Sequence, residues 1–146
     1  MPSADEIMRH DVGVVAPDTP VRRIIQVMVD TEIEAVLVVD GGGRVVGSIG
    51  DEQLVAGLHE GRRRPWFRQL GADESRFALL ASDLMLRRVV TVDPSTSAAA
   101  AIRLFDEYAL SVMPVVDRGI LLGAVFRSDL VRRLLLPSSS VHRAEP

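Results

Sequence analysis

Apolar positions along the chain follow two periods in alternation. Val21, Ile24, Ile25 and Met28 recur at i, i+3, i+4 and i+7, as do Ala98, Ala101, Ile102 and Phe105, and each set predicts a helix with one apolar face. After each helix come two runs rich in β-branched residues, AVLVVD and RVVGSI first, VMPVVD and ILLGAV later. Gly-containing turns join the members of each pair, so they read as hairpins, and their near-continuous apolar character predicts burial on both faces. Short polar-capped helices are expected at Ala4–Met8 and Ser82–Met85, each leading into a small strand, Val12–Val15 or Val89–Val92. The turns PDTP and PSTS offer a hydroxyl or carboxylate cap to the amphipathic helices. Closing helices are expected at Asp51–Leu58 and Ser128–Leu136. The order is helix, strand, helix, strand, strand, helix, twice over.

That doubling is an internal repeat. A shift of 77 places matches Met8 with Met85, Val12 with Val89, Pro17 with Pro94, Thr19 with Thr96 and Ile25 with Ile102, and aligns Val38-Val39-Asp40 with Val115-Val116-Asp117. Beyond the hairpin turn the shift becomes 76, aligning Gly47 with Gly123 and Leu54 with Leu130, because GGGR in the first copy is shortened to RG in the second. Residues 59–80 separate the copies. Pro65 is expected to open a helical turn carrying Trp66 and Phe67, and Asp73–Leu80 to form a further helix. The polar tail from Pro137 is expected to fray.

Composition narrows the chemistry. The 146 residues are 47% hydrophobic and 25% charged, enough to bury a core. All 17 basic residues are arginine, which removes P-loop lysine and Schiff-base chemistry. With zero cysteines, disulfides, thiolate catalysis and Cys-based zinc sites are excluded. No apolar run approaches the roughly 20 residues of a membrane-spanning helix. The opening MPSADEIMRH lacks the apolar stretch of a secretory signal, so a cytoplasmic location is expected. A net charge of -3 argues against a general nucleic-acid binder. His10, His59 and His142 have no paired ligand spacing, and Ser139, Ser140 and His142 share only a polar tail, so neither a metal site nor a catalytic triad emerges and no enzyme is expected. RRRPWFR, residues 62–68, mixes four arginines with two aromatics, but its acidic neighbours favour packing of Trp66 and Phe67 over nucleic-acid contact.

In their order and duplication, the IM or LM start, the VVTVDPSTS entry, the VMPVVD strand and the Gly-hydrophobic-hydrophobic-x-x-x-Asp-Leu ending resemble the CBS domain, named after cystathionine beta-synthase. The resemblance covers residues 4–58 and 81–136, with 59–80 as an inserted helical linker and 137–146 as a flexible tail. It implies a mixed α+β fold in which two repeats, each a small sheet flanked by helices, pack with pseudo-two-fold symmetry. It also implies a stand-alone regulatory pair (a Bateman module) without a required cofactor, joining as a homodimer and acting on an effector protein. The ligand implied is AMP, ADP, ATP or S-adenosylmethionine, held in an inter-repeat cleft.

For the site, the resemblance points to the second copy. Family members that bind nucleotides hold the ribose hydroxyls with an Asp at the start of the closing helix, and a carboxylate suits a diol because it accepts from both hydroxyls. Asp129 matches that position. Phe126 stands where a Thr or Ser often helps, and Arg127 lies beside a helix start that favours anions. Val90, Thr91 and Val92, with Met113, Pro114 and Val115, correspond to the adenine walls. In the first copy Val14, Val15, Gly50 and Gln53 form the weaker counterpart, since Gln53 has no charge. The residues allow plainer roles too: Asp129 as a helix N-terminal acid, Thr91 as a strand residue, Arg127 as a solvated charge, Phe126 as cleft filler. Degenerate sites would leave a structural, dimerisation or protein-interaction module. Leu54, Val55 and Leu58, with Leu130, Val131, Leu134 and Leu135, supply apolar helix surface for either a core or a dimer interface.

Overall fold

The structure is a computed structural model that describes residues 2–62 and 79–136. Within them the chain forms α1 (Ala4–Ile7), β1 (Val14–Val15), α2 (Val21–Thr31), β2 (Ala35–Val39), β3 (Val45–Gly50), α3 (Asp51–Arg62), α4 (Ala81–Leu84), α5 (Ala98–Tyr108), β4 (Val112–Asp117), β5 (Ile120–Phe126) and α6 (Arg127–Leu135). The mixed α+β class is that expected, and the succession of elements recurs except for the opening strand of the second copy. The turn at Pro65 with Trp66 and Phe67, most of the Asp73–Leu80 helix and the tail from Pro137 lie outside the described residues.

The compact units are offset from the sequence repeats. One unit is Val12–Val89; the other joins Met1–Asp11 to Val90–Pro146. In the first, β1 runs parallel to β2 and β2 antiparallel to β3, with Val15 opposite Val38, and Ser48 of β3 bridges to Leu86 on the far edge. In the second, β4 and β5 are antiparallel, the expected Val89–Val92 strand is reduced to a single bridge from Val92 to Val115, and Arg9 bridges to Ala124. Each sheet is thus completed on its last edge by the segment that opens the other sequence copy.

One glycine in each unit permits this completion. A side chain on Gly123 would run into the Arg9 carbonyl oxygen, and one on Gly47 would lie 2.7 Å from Met85 Sδ and 2.9 Å from the Leu86 carbonyl. Those approaches let Arg9 and Ala124 exchange two backbone hydrogen bonds of 2.9 Å each. Ser48 and Leu86 do the same at 3.1 and 2.8 Å.

The amphipathic helices bury the expected faces only in part. Val21 and Ile24 are buried on α2, and Ala98, Ala101 and Phe105 on α5, whereas Ile25 and Ile102, equivalent by the repeat, are each 38% exposed. Ser97 caps α5, its Oγ accepting from the Ala100 N–H at 3.1 Å. The first copy corrects the expectation of a matching cap: Pro20 occupies the N-cap of α2, and Thr19 Oγ1 accepts from the Ala16 N–H instead. Both helices end on a left-handed residue that is not glycine, Glu32 (φ 56°) and Ala109 (φ 53°). The strand cores are dry: Val36, Val38 and Ile49 in one unit, and Met113, Val115 and Val125 in the other, have 1% exposure or less. The shortened second hairpin turns on Arg118 and Gly119, both with positive φ, as a two-residue turn of that twist requires.

Candidate functional site

β5 delivers the chain directly into α6, so Phe126 is the N-cap and Asp129 sits in the first helical turn. The Phe126 side chain is buried at 1% exposure, as the end of an apolar strand must be when a helix folds back over it. Asp129 stays at the rim, its side chain 21% exposed. Its carboxylate is not idle. Arg9 donates to both oxygens, Nε to Oδ2 at 2.6 Å and Nη2 to Oδ1 at 2.8 Å. Arg132, one turn along α6, donates Nη2 to Oδ1 at 2.5 Å. The Arg9 guanidinium also lies over the Phe126 ring, 4.4 Å from its centroid, a cation–π stack that fixes the plane of the fork.

These partners set the charge state. The hydrogen bond from Arg9 is the main cause holding the Asp129 pKa below its ordinary 3.8, with Arg132 acting in the same direction and partial burial opposing them. The carboxylate is therefore fully ionised at neutral pH.

Arg9 is the partner of Asp129 that motif reading overlooked. It lies 120 positions from Asp129 and reaches it only because Arg9 pairs with Ala124 on the β5 edge. A signal did exist. At the repeat offsets Arg9 aligns with Leu86 and Asp129 with Gln53, so each copy contributes one of the two charges, and the unit that joins Met1–Asp11 to Val90–Pro146 holds both while the other holds Leu86 and Gln53.

The other expected residues divide into groups. Val92 lies beside β4, its N–H donating to the Pro114 carbonyl at 3.0 Å and its carbonyl accepting from Val116 at 2.9 Å. Val92, Met113, Pro114 and Val115 are buried, Val90 is half-buried and Thr91 is exposed. Val92 lies beyond β4 and Arg9 beyond β5, three strand spacings apart, or about 14 Å at ~4.8 Å each, whereas Met113, Pro114 and Val115 stand on β4 itself, two spacings from Arg9. Arg127 is exposed, its N–H bonded to the Ser111 carbonyl. In the first copy Gln53 turns back on its own helix: its Oε1 accepts from the Gly50 N–H at 2.7 Å, half of a capping box. Val15 is buried and Val14 is 46% exposed.

Elsewhere, a shallow groove on α3 is lined by Asp51, Glu52, Val55, Ala56 and His59. It lies in the unit that lacks Asp129. Among the described residues no cluster of three or more His, Asp or Glu could hold a metal ion, and no helix is long and apolar enough to cross a membrane. Of the closing-helix residues expected to be core or interface, Leu130 is buried, Leu54 and Leu134 are half-buried, and Val55, Val131 and Leu135 are 67%, 45% and 72% exposed. The Leu58 side chain lies outside the described residues.

Two copies, each running a helix and a hairpin into a closing helix, define a duplicated α+β module, and the sequence agrees. The chain belongs to the CBS domain family, whose profile matches residues 4–60 and 81–136. Its structure is similar to that of CBSX2 in complex with AMP, with a TM-score of 0.69 and 27% identity, covering 92% of this chain and 97% of that one. It is similar in fold to the CBS domain pair of MJ0100 in complex with 5-methylthioadenosine and S-adenosyl-L-methionine, at a TM-score of 0.72 and 17% identity, over 92% of this chain and 96% of that one. It is also 26% identical over 128 residues to the uncharacterized protein MJ1404 of Methanocaldococcus jannaschii. That match takes in 87% of this chain but only 30% of the length of the relative.

Proposed function

We propose that the chain is a regulatory CBS pair that binds an adenine nucleotide or related adenosyl ligand at the Asp129 end of α6, and that occupancy is transmitted to an effector protein. One observation carries this reading: Asp129 is an ionised, partly exposed carboxylate at the start of the closing helix, while its counterpart Gln53 is neutral and tied to Gly50. Asp129 holds the ribose hydroxyls, and the buried wall of Val92, Met113, Pro114 and Val115, with Val90 and Thr91 at its margin, suits the base. Support for the ligand class comes from the complexes named above, one with AMP and one with 5-methylthioadenosine and S-adenosylmethionine. The role is sensing rather than catalysis. Exposed Val55, Val131 and Leu135 on the closing helices support self-association as a homodimer.

A second reading is favoured by a specific feature. Phe126 stands in place of a hydroxyl, and the Asp129 carboxylate already accepts from two arginines, an arrangement that serves a purely structural or protein-interaction module equally well. A thermal-shift screen separates the two. Wild type and Asp129→Ala are heated with AMP, ADP, ATP and S-adenosylmethionine, because a ligand at ~100 times its Kd adds about 2.7 kcal/mol of apparent stability. The sensor reading expects a shift in wild type that Asp129→Ala abolishes. No shift with any compound at millimolar concentration leaves the structural reading standing, and a shift that survives Asp129→Ala removes the ligand from this site.

A further inference from the structure

The two arginines on Asp129 are not equivalent, and their difference bears on which adenosyl compounds the site accepts. An ionised carboxylate offers about four acceptor positions. Arg9 takes one on each oxygen, and Arg132 takes a second on Oδ1. A ribose diol brings two donors to the one position left. One arginine N–H must therefore leave before both hydroxyls are seated.

The geometry identifies which. Arg9 is held by two parallel bonds, by its stack on Phe126 and by the pairing of its backbone with Ala124, and its side chain is only 29% exposed. The Arg132 side chain is 62% exposed and makes one bond to Asp129 from three residues along the same helix. Displacing Arg132 leaves one free position on each oxygen, the pattern a diol needs, with Arg9 still orienting the carboxylate.

Resting on the adenosyl-binding reading above, we infer that Arg132 is the exchangeable partner of Asp129: the ribose displaces it, and its freed guanidinium then pairs with the ligand's phosphate. Arg9 is the positioning residue that stays. The site is accordingly selective for anionic nucleotides. A neutral adenosyl compound releases Arg132 and gives it nothing in return, and a cationic one such as S-adenosylmethionine meets like charge.

Calorimetric titration of AMP, adenosine and S-adenosylmethionine into wild type, Arg132→Ala, Arg9→Ala and Arg9→Lys tests this. Wild type should bind AMP about tenfold more tightly than adenosine, equivalent to ~1.4 kcal/mol, and S-adenosylmethionine more weakly than adenosine. Arg132→Ala should collapse that preference from both sides: AMP weakens, and adenosine tightens by up to about fivefold because a surface competitor is gone. Arg9→Ala should weaken all three compounds together. Arg9→Lys, which keeps the charge but loses the planar fork, should do the same if Arg9→Ala does not fold. Equal binding of AMP and adenosine by wild type, or an unchanged ratio in Arg132→Ala, overturns the exchange and leaves adenosyl binding intact. Failure of wild type to bind any of the three overturns the adenosyl reading itself, and the exchange with it.

Discussion

Replacing Asp129 with Ala removes the acceptor of three charge-assisted hydrogen bonds, and the loss divides into parts that the structure separates. The Arg9 pair, at 2.6 and 2.8 Å with side chains 29% and 21% exposed, is neither a surface ion pair nor a buried one. Exposed pairs contribute about 0.2–1 kcal/mol and hydrogen bonds to charged groups about 1.5–3, so solvent screening brings this pair to roughly 1–1.5 kcal/mol. Arg132 adds little beyond that, being 62% exposed. A carboxylate in the first turn of α6 contributes a further ~0.3–1 kcal/mol through the helix dipole, independently of Arg9. Asp129→Ala should therefore cost about 1.5–2.5 kcal/mol at pH 7. At this chain length that is a fall in Tm of roughly 5–8 °C.

Urea denaturation of wild type, Asp129→Ala, Arg9→Ala and the double variant gives the coupling directly, since the cycle cancels the dipole and the stacking of Arg9 on Phe126. The expected coupling is about 1 kcal/mol. The pH dependence has a definite sign: the folded-state pKa of Asp129 lies below the ordinary 3.8, so its contribution is fully present above that value and is lost as pH falls through the folded-state value. The difference between wild type and Asp129→Ala should hold steady from neutrality down to about pH 5 and narrow below 3.8. A coupling under ~0.3 kcal/mol, or a difference that persists undiminished in strong acid, would refute the assignment of this pair as the fixed part of the site.

Two further substitutions probe the fold that builds the site. Gly123→Ala drives a methyl group into the Arg9 carbonyl and should cost at least ~2–3 kcal/mol as an overpacked contact, with hydrogen exchange accelerated at the amides of Arg9 and Ala124; protection equal to wild type at both amides would contradict the pairing. Ala109→Gly relieves a left-handed non-glycine residue at the end of α5 and should raise stability by about 0.5–1 kcal/mol in denaturant titration, a gain that a neutral or destabilising result would deny.

Much of this architecture was legible because its causes are local. The apolar period of Val21, Ile24 and Met28, the two-residue turn at Arg118-Gly119 and the dry strands around Val36 and Val115 each follow from neighbours a few residues apart. Ile25 and Ile102 departed from their predicted burial together, since an i+4 position at the edge of an apolar stripe is covered only if another surface reaches it. The edge pairing of Arg9 with Ala124 is different in kind. It joins residues far apart in the chain, and a segment read as the start of its own repeat gives no local sign that it completes the other unit's sheet. For the same reason Asp129 stands out as a candidate from its place in a motif, whereas the arginine that orients its carboxylate does not.

The central claim, that Asp129 holds the ribose of an adenosyl ligand, is tested most directly by a crystal structure of the protein grown with millimolar AMP. The account predicts both ribose hydroxyls within about 2.5–3.0 Å of the Asp129 oxygens, Arg9 still forked onto the carboxylate, and Arg132 turned to the phosphate. AMP bound elsewhere, or an Arg9–Asp129–Arg132 cluster unchanged with no nucleotide beside it, would contradict it.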